Sequence, residues 1–374
     1  MNFHLDSNPA SPIPHLTASL TASQPVPSVF LSRASGRPSS EIIRDGFDWV
    51  HFSEVCTSTT RIFIKPNLTF PSYRPGVMTS PEFIDSLLAA LRPFTSHLFI
   101  GDSDSGGYNR FSAETVFRST GLYSIARKYG AQVVNLTGQP CVPFRVHRGE
   151  REEPLLLPAL LVEEMDFLIS VPVPKVHVYT TVSLSLKNLW GCIPANRDRL
   201  LLHPWLEEIL PQLRRAVKAR FAVVDGNYGL NRNGPMRGDP IFLDWMLLSD
   251  DLFAGDRTVC EILGLDWRRV GHLSGTETQG QPAFIPPRVN QEPGIFHTVD
   301  FFLRRNPTDL PGWLAFHSSW TAWLAYFSPA AAWLHRILYL IRKPFYDYSQ
   351  VLPLDAPAST PSLPIESGKT DSRK

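Results

Sequence analysis

The stretch DFLISVPVPKVHVYTTVSLSLKNLWGC, residues 166–192, joins an apolar run to a charged ending and then to a second amphipathic run. Phe167 to Val171 read as a segment built for burial, the pattern of a strand inside a sheet. Pro174-Lys175-Val176-His177 follow at once, and Lys187 and Asn188 recur inside the next stretch. Two lysines and a histidine placed there either solvate a strand end or face an anion.

Outward from this stretch the same alternation repeats. RIFIKPNL (61–68), SHLFIGDSDSGG (96–107), AQVVNL (131–136), DFLISVPVPK (166–175) and RFAVVDGNYG (220–229) read as strands. Between them lie helical periods: PEFIDSLLAALRPF (81–94), with Thr79 and Ser80 as caps, and FSAETVFRSTGLYSIARKYG (111–130), interrupted near Gly121 and closed by Gly130. HPWLEEILPQLRRAVKA (203–219) and DDLFAGDRTVCEILGL (250–265) complete the set. Such alternation predicts an α/β fold, a parallel or mixed sheet with helices on both faces. One large domain is expected over about 45–300. Residues 1–40 and 352–374 are rich in Ser and Pro without periodicity and read as mostly disordered ends, VPSVFLS (26–32) adding one strand.

A formal net charge of +1 supplies no global field for a polyanion, so nucleic acid is not an expected partner. Cys56, Cys141, Cys192 and Cys260 are far apart, without C-x-x-C spacing, so no local zinc ribbon or cysteine-held iron–sulfur cluster is written here. The N-terminal residues lack a basic segment followed by an unbroken apolar one, which makes a poor signal peptide and a cytoplasmic location the default.

In open α/β sheets ligands bind beyond the carboxyl ends of the strands. Here those ends are Lys65-Pro66-Asn67, Gly101-Asp102-Ser103-Asp104, Lys175-Val176-His177 and Asp225-Gly226-Asn227. Lys65, Lys175 and Lys187 suit a small anionic molecule, and nearby lysines would keep His177 neutral and able to move a proton. His177, Lys175 and Lys187 are therefore the candidate catalytic residues. Asn67, Ser103, Asn188 and Gly226 join Lys65 as candidate substrate contacts. Asp102, Asp225 and Asp256 are candidate ligands for a divalent cation, the one cofactor the residues suggest. Each feature also has a plain reading. GDSDSGG (101–107) serves equally as a turn and helix cap, DGNYGLNRNGPMRGDP (225–240) as a connecting loop, and Asp256 as a carboxylate favoured near a helix start.

Taken in order, IKPNL (64–68), GDSDSGG (101–107), PKVHVYTTVSLSLKNLWGC (174–192), DGNYGLNRNGPMRG (225–238) and SDDLFAGDRTVCEILG (249–264) resemble the domain of unknown function 362 family. The resemblance spans roughly residues 60–275 and rests on the ordered series. It implies an α/β domain whose motif residues line a common pocket: Lys65, Asn67, Asp102, Lys175, His177, Lys187, Asn188, Asp225, Gly238 and Asp256. Gly238 enters as a substrate contact on this ground. Many members carry ferredoxin-type iron–sulfur modules, but this chain lacks the C-x-x-C-x-x-C run and is expected to hold no cluster of its own. The resemblance supplies a site, not a reaction.

One feature lies outside that series. PGWLAFHSSWTAWLAYFSPAAAWLHRILYLIRKPFYDY (311–348) holds four of the nine tryptophans and no acidic residue before Asp347. Its apolar residues predict an amphipathic, aromatic-rich helical hairpin, Ser328-Pro329 restarting the second helix. His317, Ser318, Ser319 and Pro329 break any continuous span. The hairpin docks on the domain, or it meets a protein partner or a membrane surface, and the Trp-rich, acid-poor composition tilts the expectation to the latter pair. The functional expectation is an enzyme acting on a small anionic substrate. The alternative is a non-catalytic binding or redox-assembly protein working with a separate iron–sulfur partner.

Overall fold

The computed structural model describes residues 25–106, 111–274 and 284–341. The expected leader 1–24, Gly107, and the ends of the aromatic segment and tail from Arg342 onward lie outside the described residues.

The strands are β1 (Ser28–Arg33), β2 (Ile62–Pro66), β3 (Leu98–Asp102), β4 (Gln132–Asn135), β5 (Cys141–Arg148) and β6 (Arg151–Pro158). They continue as β7 (Phe167–Val171), β8 (Lys175–His177), β9 (Thr181–Ser183), β10 (Ala219–Asn231), β11 (Asp239–Ser249) and β12 (Arg288–Val289). Ten of them form one mixed sheet in the order β12-β1-β11-β10-β7-β2-β3-β4, with β8 beside β10 and β9 beside β8. The run from β10 through β7, β2 and β3 to β4 is parallel, whereas β11 is antiparallel to both its neighbours. The fold is α/β, as the alternation predicts.

The chain leaves β2 toward β3 and β4 on one side, then returns to place β7 on the other. The order therefore reverses between β2 and β7, and a crevice opens beyond the ends of strands at such a point. Side chains alternate across the sheet with a period of two. Ile62, Ile64, Ile169 and Val171 enter the core beneath the helices Ser39–Trp49 and Pro81–Leu91. Phe63 and Leu168 enter the core shared with the helices Leu206–Ala216 and Leu252–Ile262. Lys65 and Ser170, paired across β2 and β7, continue the Phe63–Leu168 face.

The predicted helices are present with their expected punctuation. Ser80 caps Pro81–Leu91 by accepting from Phe83 N. Gly121 and Gly130, both with positive φ, separate and close the helices Ala113–Ser119 and Leu122–Tyr129.

Four expectations need correction. DFLISVPVPK is not one strand: β7 stops at Val171 and β8 starts at Lys175, because Pro172 and Pro174 carry no N–H for the ladder. DGNYGLN is not loop: β10 runs on to Asn231, and only Arg232–Gly238 connects it to β11. The glycine that suggested a loop is needed for contact instead, since a Cβ on Gly226 would sit 2.2 Å from the Trp245 ring. β1 falls where VPSVFLS was read as a strand and is paired on both sides, but the helix Ser39–Trp49 begins inside the segment read as disordered leader. Finally, the first arm of the hairpin is split, giving helices Leu310–Ala315, Ser319–Tyr326 and Ala331–Ile341. Ser318 is the cause: its side chain accepts from Thr321 N and starts a new helix.

Candidate functional site

The reversal point is filled by the stretch that follows β9. A short helix, Ser185–Asn188, and a further turn, Leu189–Cys192, cross the ends of β2 and β7. Asn188 straddles the two strands, its Nδ2 donating to Lys65 O at 2.8 Å and Ser170 Oγ at 3.1 Å. The helix is held from below by Asp256, whose carboxylate accepts from Ser185 N and Leu186 N at 2.8 and 2.9 Å. Burial pushes the Asp256 carboxyl up to about 7 against those hydrogen bonds.

Lys65, 1% exposed, places Nζ 2.8 Å from Asp102 Oδ2 and 2.9 Å from Pro66 O. Asp102 also accepts from Leu68 N and Ser103 N, so its charge is fully engaged. The Ser103 hydroxyl donates to Gly191 O at 2.7 Å. Gly191 presses directly on the ion pair: a Cβ there would lie 2.7 Å from Asp102 Oδ1 and 2.9 Å from Lys65 Nζ.

Lys175 and Lys187 differ from Lys65 in having no carboxylate partner among the described residues. Lys175, 2% exposed, donates to Val77 O at 2.9 Å. Burial first, then Lys187 and Lys65, push its ammonium down to about 7. Lys187 keeps part of its side chain accessible, with Nζ 5.9 Å from the centre of the Trp190 ring. Burial and Arg199 push it down to about 7 as well. Arg199 itself donates to the carbonyl of Asp104.

His177 is held well below its usual value by burial, then by Lys187, His203 and Lys175. Its Nδ1 accepts from the backbone N–H groups of Tyr179 and Thr180 at 3.2 and 3.4 Å. With Nδ1 an acceptor in a neutral ring, the proton sits on Nε2, which makes His177 a hydrogen-bond donor there. His203 and His272 are likewise held neutral by burial and Lys187, His272 down to about 3. Neither ring nitrogen of the buried His272 has a hydrogen-bond partner among the described residues.

The structure thus gathers Lys65, Asp102, Ser103, Asn188, Lys175, Lys187 and His177. It does not bring every expected residue with them. Asp225 continues the Phe221–Val223 face, opposite to Lys65, where it accepts from Ser80 N and Ser80 Oγ at 2.9 and 2.8 Å. Asn67 is occupied locally, its N–H on Thr79 Oγ1 and its Oδ1 taking the Thr69 hydroxyl. Gly226 is filled by Trp245, and a Cβ on Gly238 would meet Asn231 O at 2.2 Å. Asp102, Asp225 and Asp256 each serve different partners, and among the described residues no three His, Cys, Asp or Glu side chains form a group able to hold a metal ion. Sequence reasoning missed Gly191, Arg199, His203 and Ser170. Gly191 had a signal, a glycine interrupting an apolar run, which marks a close approach.

The C-terminal helices reach this region. Phe316 stacks on His203 with ring centres 4.2 Å apart and meets Tyr179 edge-on at 5.0 Å. Ala315, Ala322 and Ala331 are buried, whereas Trp313, Trp320, Trp323 and Trp333 stay exposed. None of the described helices is long and apolar enough to cross a membrane.

The chain has relatives among known proteins. The chain is 27% identical over 236 residues to the thylakoid-associated protein sll1697 of Synechocystis, covering 59% of this chain and 68% of that one. Among solved structures, a Thermotoga maritima protein matches with TM-score 0.37 and 14% identity, over 64% of this chain and 60% of that one. The lactate racemase apoprotein of Thermoanaerobacterium thermosaccharolyticum matches with TM-score 0.39 and 11% identity, over 63% and 56% of the respective chains. The chain spans less than two thirds of either solved structure. The family model described as Domain of unknown function (DUF362) matches residues 62–261, which run from β2 into the helix Leu252–Ile262, and the chain belongs to that family.

Proposed function

We propose that the protein is an enzyme acting on a small anionic substrate at the carboxyl edge of the sheet, between β2 and β7. The observation that carries this reading is the pair Lys175 and Lys187. Two neighbouring lysines, each within electrostatic reach of the other, have no carboxylate partner among the described residues, next to a third lysine that has one. Burying unpaired ammonium groups costs several kcal/mol, roughly, and an anion bound between them offsets that cost. Lys65 is spoken for by Asp102, so its charge is already matched.

The roles follow from the hydrogen bonds. Near neutral pH each free lysine exchanges its proton readily, so Lys187, the more accessible, is the acid or base. Lys175 holds the anion against Val77. His177 donates from Nε2 to a substrate oxygen, as a neutral electrophile and not as the base. Thermal melting tests the reading with inorganic phosphate, pyrophosphate, acetate and oxalate. At least one of these anions should raise the melting temperature of the parent protein and leave Lys175→Ala and Lys187→Ala unmoved. Equal stabilisation of parent and both variants would sink it.

A second reading concerns location. The exposed side of the C-terminal helices carries Trp313, Trp320, Trp323, Trp333 and Leu340, and residues 310–346 contain no acid. Trp-rich, acid-poor helices suit a membrane interface. The thylakoid association in the name of the Synechocystis relative supports a peripheral association of this chain too.

A further inference from the structure

Beside the anion site lies a cleft of about 170 Å³, lined by Tyr179, His203, Glu207, Trp313, Phe316 and His317 among others. A cavity of about 150 Å³ accommodates one benzene-sized ring. Its walls are already built from ring planes, with Phe316 stacked on His203 and set edge-on to Tyr179. The cleft neighbours the cationic cluster through its own lining. Tyr179 and Thr180 present their backbone N–H groups to His177 Nδ1, and His203 lies within the electrostatic reach of Lys187.

The charges along this path have a direction. Among the described residues the cleft lining contains no lysine or arginine, and its acidic side chain is Glu207. An anionic head is therefore disfavoured inside the cleft and favoured one layer deeper, at Lys175 and Lys187. The part seated among the rings is uncharged. Trp313 and Phe316 lie beyond residues 62–261, so this wall is added by the C-terminal helices to the stretch that the family model matches.

We propose that the substrate is an anion bearing one aryl group, the ring held among Tyr179, Trp313 and Phe316 and the head at Lys175 and Lys187. This rests on the anion reading above and names its substrate class. Titration calorimetry of the full chain at pH 6.5 tests it with two pairs, inorganic phosphate against phenyl phosphate and acetate against benzoate. The aryl member of at least one pair should bind roughly ten-fold tighter or more, the scale of burying some tens of Å² of apolar surface. Trp313→Ala and the more conservative Phe316→Leu should each shrink that ratio, with apo melting curves confirming that both variants fold. Equal binding within both pairs, or an aryl advantage that survives in both variants, overturns the aryl proposal and leaves the anion site standing. Failure of all four probes to bind the parent overturns the anion site and this inference with it.

Discussion

Lys65 and Asp102 show how one residue outside the charged set decides the chemistry. Gly191 leaves room for the pair and nothing else, so Gly191→Ala forces the carboxylate or the ammonium aside. Lys65→Met removes the partner of a buried carboxylate, a change that costs about 3–5 kcal/mol. Urea unfolding should show both variants less stable than the parent, with Lys65→Met the worse. Unchanged midpoints would mean that the pair is dispensable. Lys175 and Lys187 act in the opposite sense. The unfolded chain holds their protons up to about the ordinary lysine value of 10.5, while the folded pocket sheds them near 7. Unfolding therefore takes up protons between those values, and stability of the ligand-free protein rises with pH across that window. Lys187→Met should flatten the rise in melting temperature from pH 7 to 10. A slope as steep as the parent's would show that Lys187 is not depressed.

At the scale of elements, Asp256 supports the helix that carries Lys187 and Asn188. It lies mid-helix in Leu252–Ile262, whose own start is capped by Asp251 through Ala254 N. Its carboxylate instead satisfies the first N–H groups of Ser185–Asn188, the helix that carries Lys187 and Asn188. Asp256→Ala leaves two buried N–H groups unbonded, at about 1–3 kcal/mol each. The expected result is lower stability and a weaker response to anions, read in the same melting experiment. A full anion response at lower stability would confine Asp256 to folding. The carboxylate at a helix start was legible in the sequence as a type of interaction, but not which helix it served. Such contacts cross 71 residues of chain, and no local pattern encodes the partner. The same limit explains Asp225. It stands at the end of an apolar run like Lys65, yet the two-residue alternation turns it to the other face and onto Ser80.

For the whole molecule, the C-terminal helices combine two surfaces. Small residues and Phe316 dock on the domain, while the large apolar side chains, Leu340 at 86% exposure among them, face outward. If the outward face meets lipid, the full chain should float with liposomes containing anionic lipid, and Trp320→Glu with Trp333→Glu should abolish flotation while keeping the melting temperature. Flotation undiminished in the double variant removes the membrane reading. The predicted C-terminal helices are present with their first arm split: Ser318 offers a cap that competes with helix continuation, and a three-residue break then frees Phe316 to turn inward.

By itself the sequence determined the α/β class, the helices with their caps and glycine stops, and the short list of lysines, histidine and asparagine that converge. These are local matters of period, propensity and strand endings. Only the tertiary structure decided which charges are neutralised, because Lys65 meets Asp102 across two strands whereas Lys175 and Lys187 meet no carboxylate among the described residues. It also decided that the neutral His177 ring carries its proton on Nε2, since Nδ1 is claimed by a turn, and that aromatic residues over 130 positions away pack around Tyr179. Charge and proton position depend on what lies within a few ångströms, and long-range pairing, not local pattern, sets that neighbourhood.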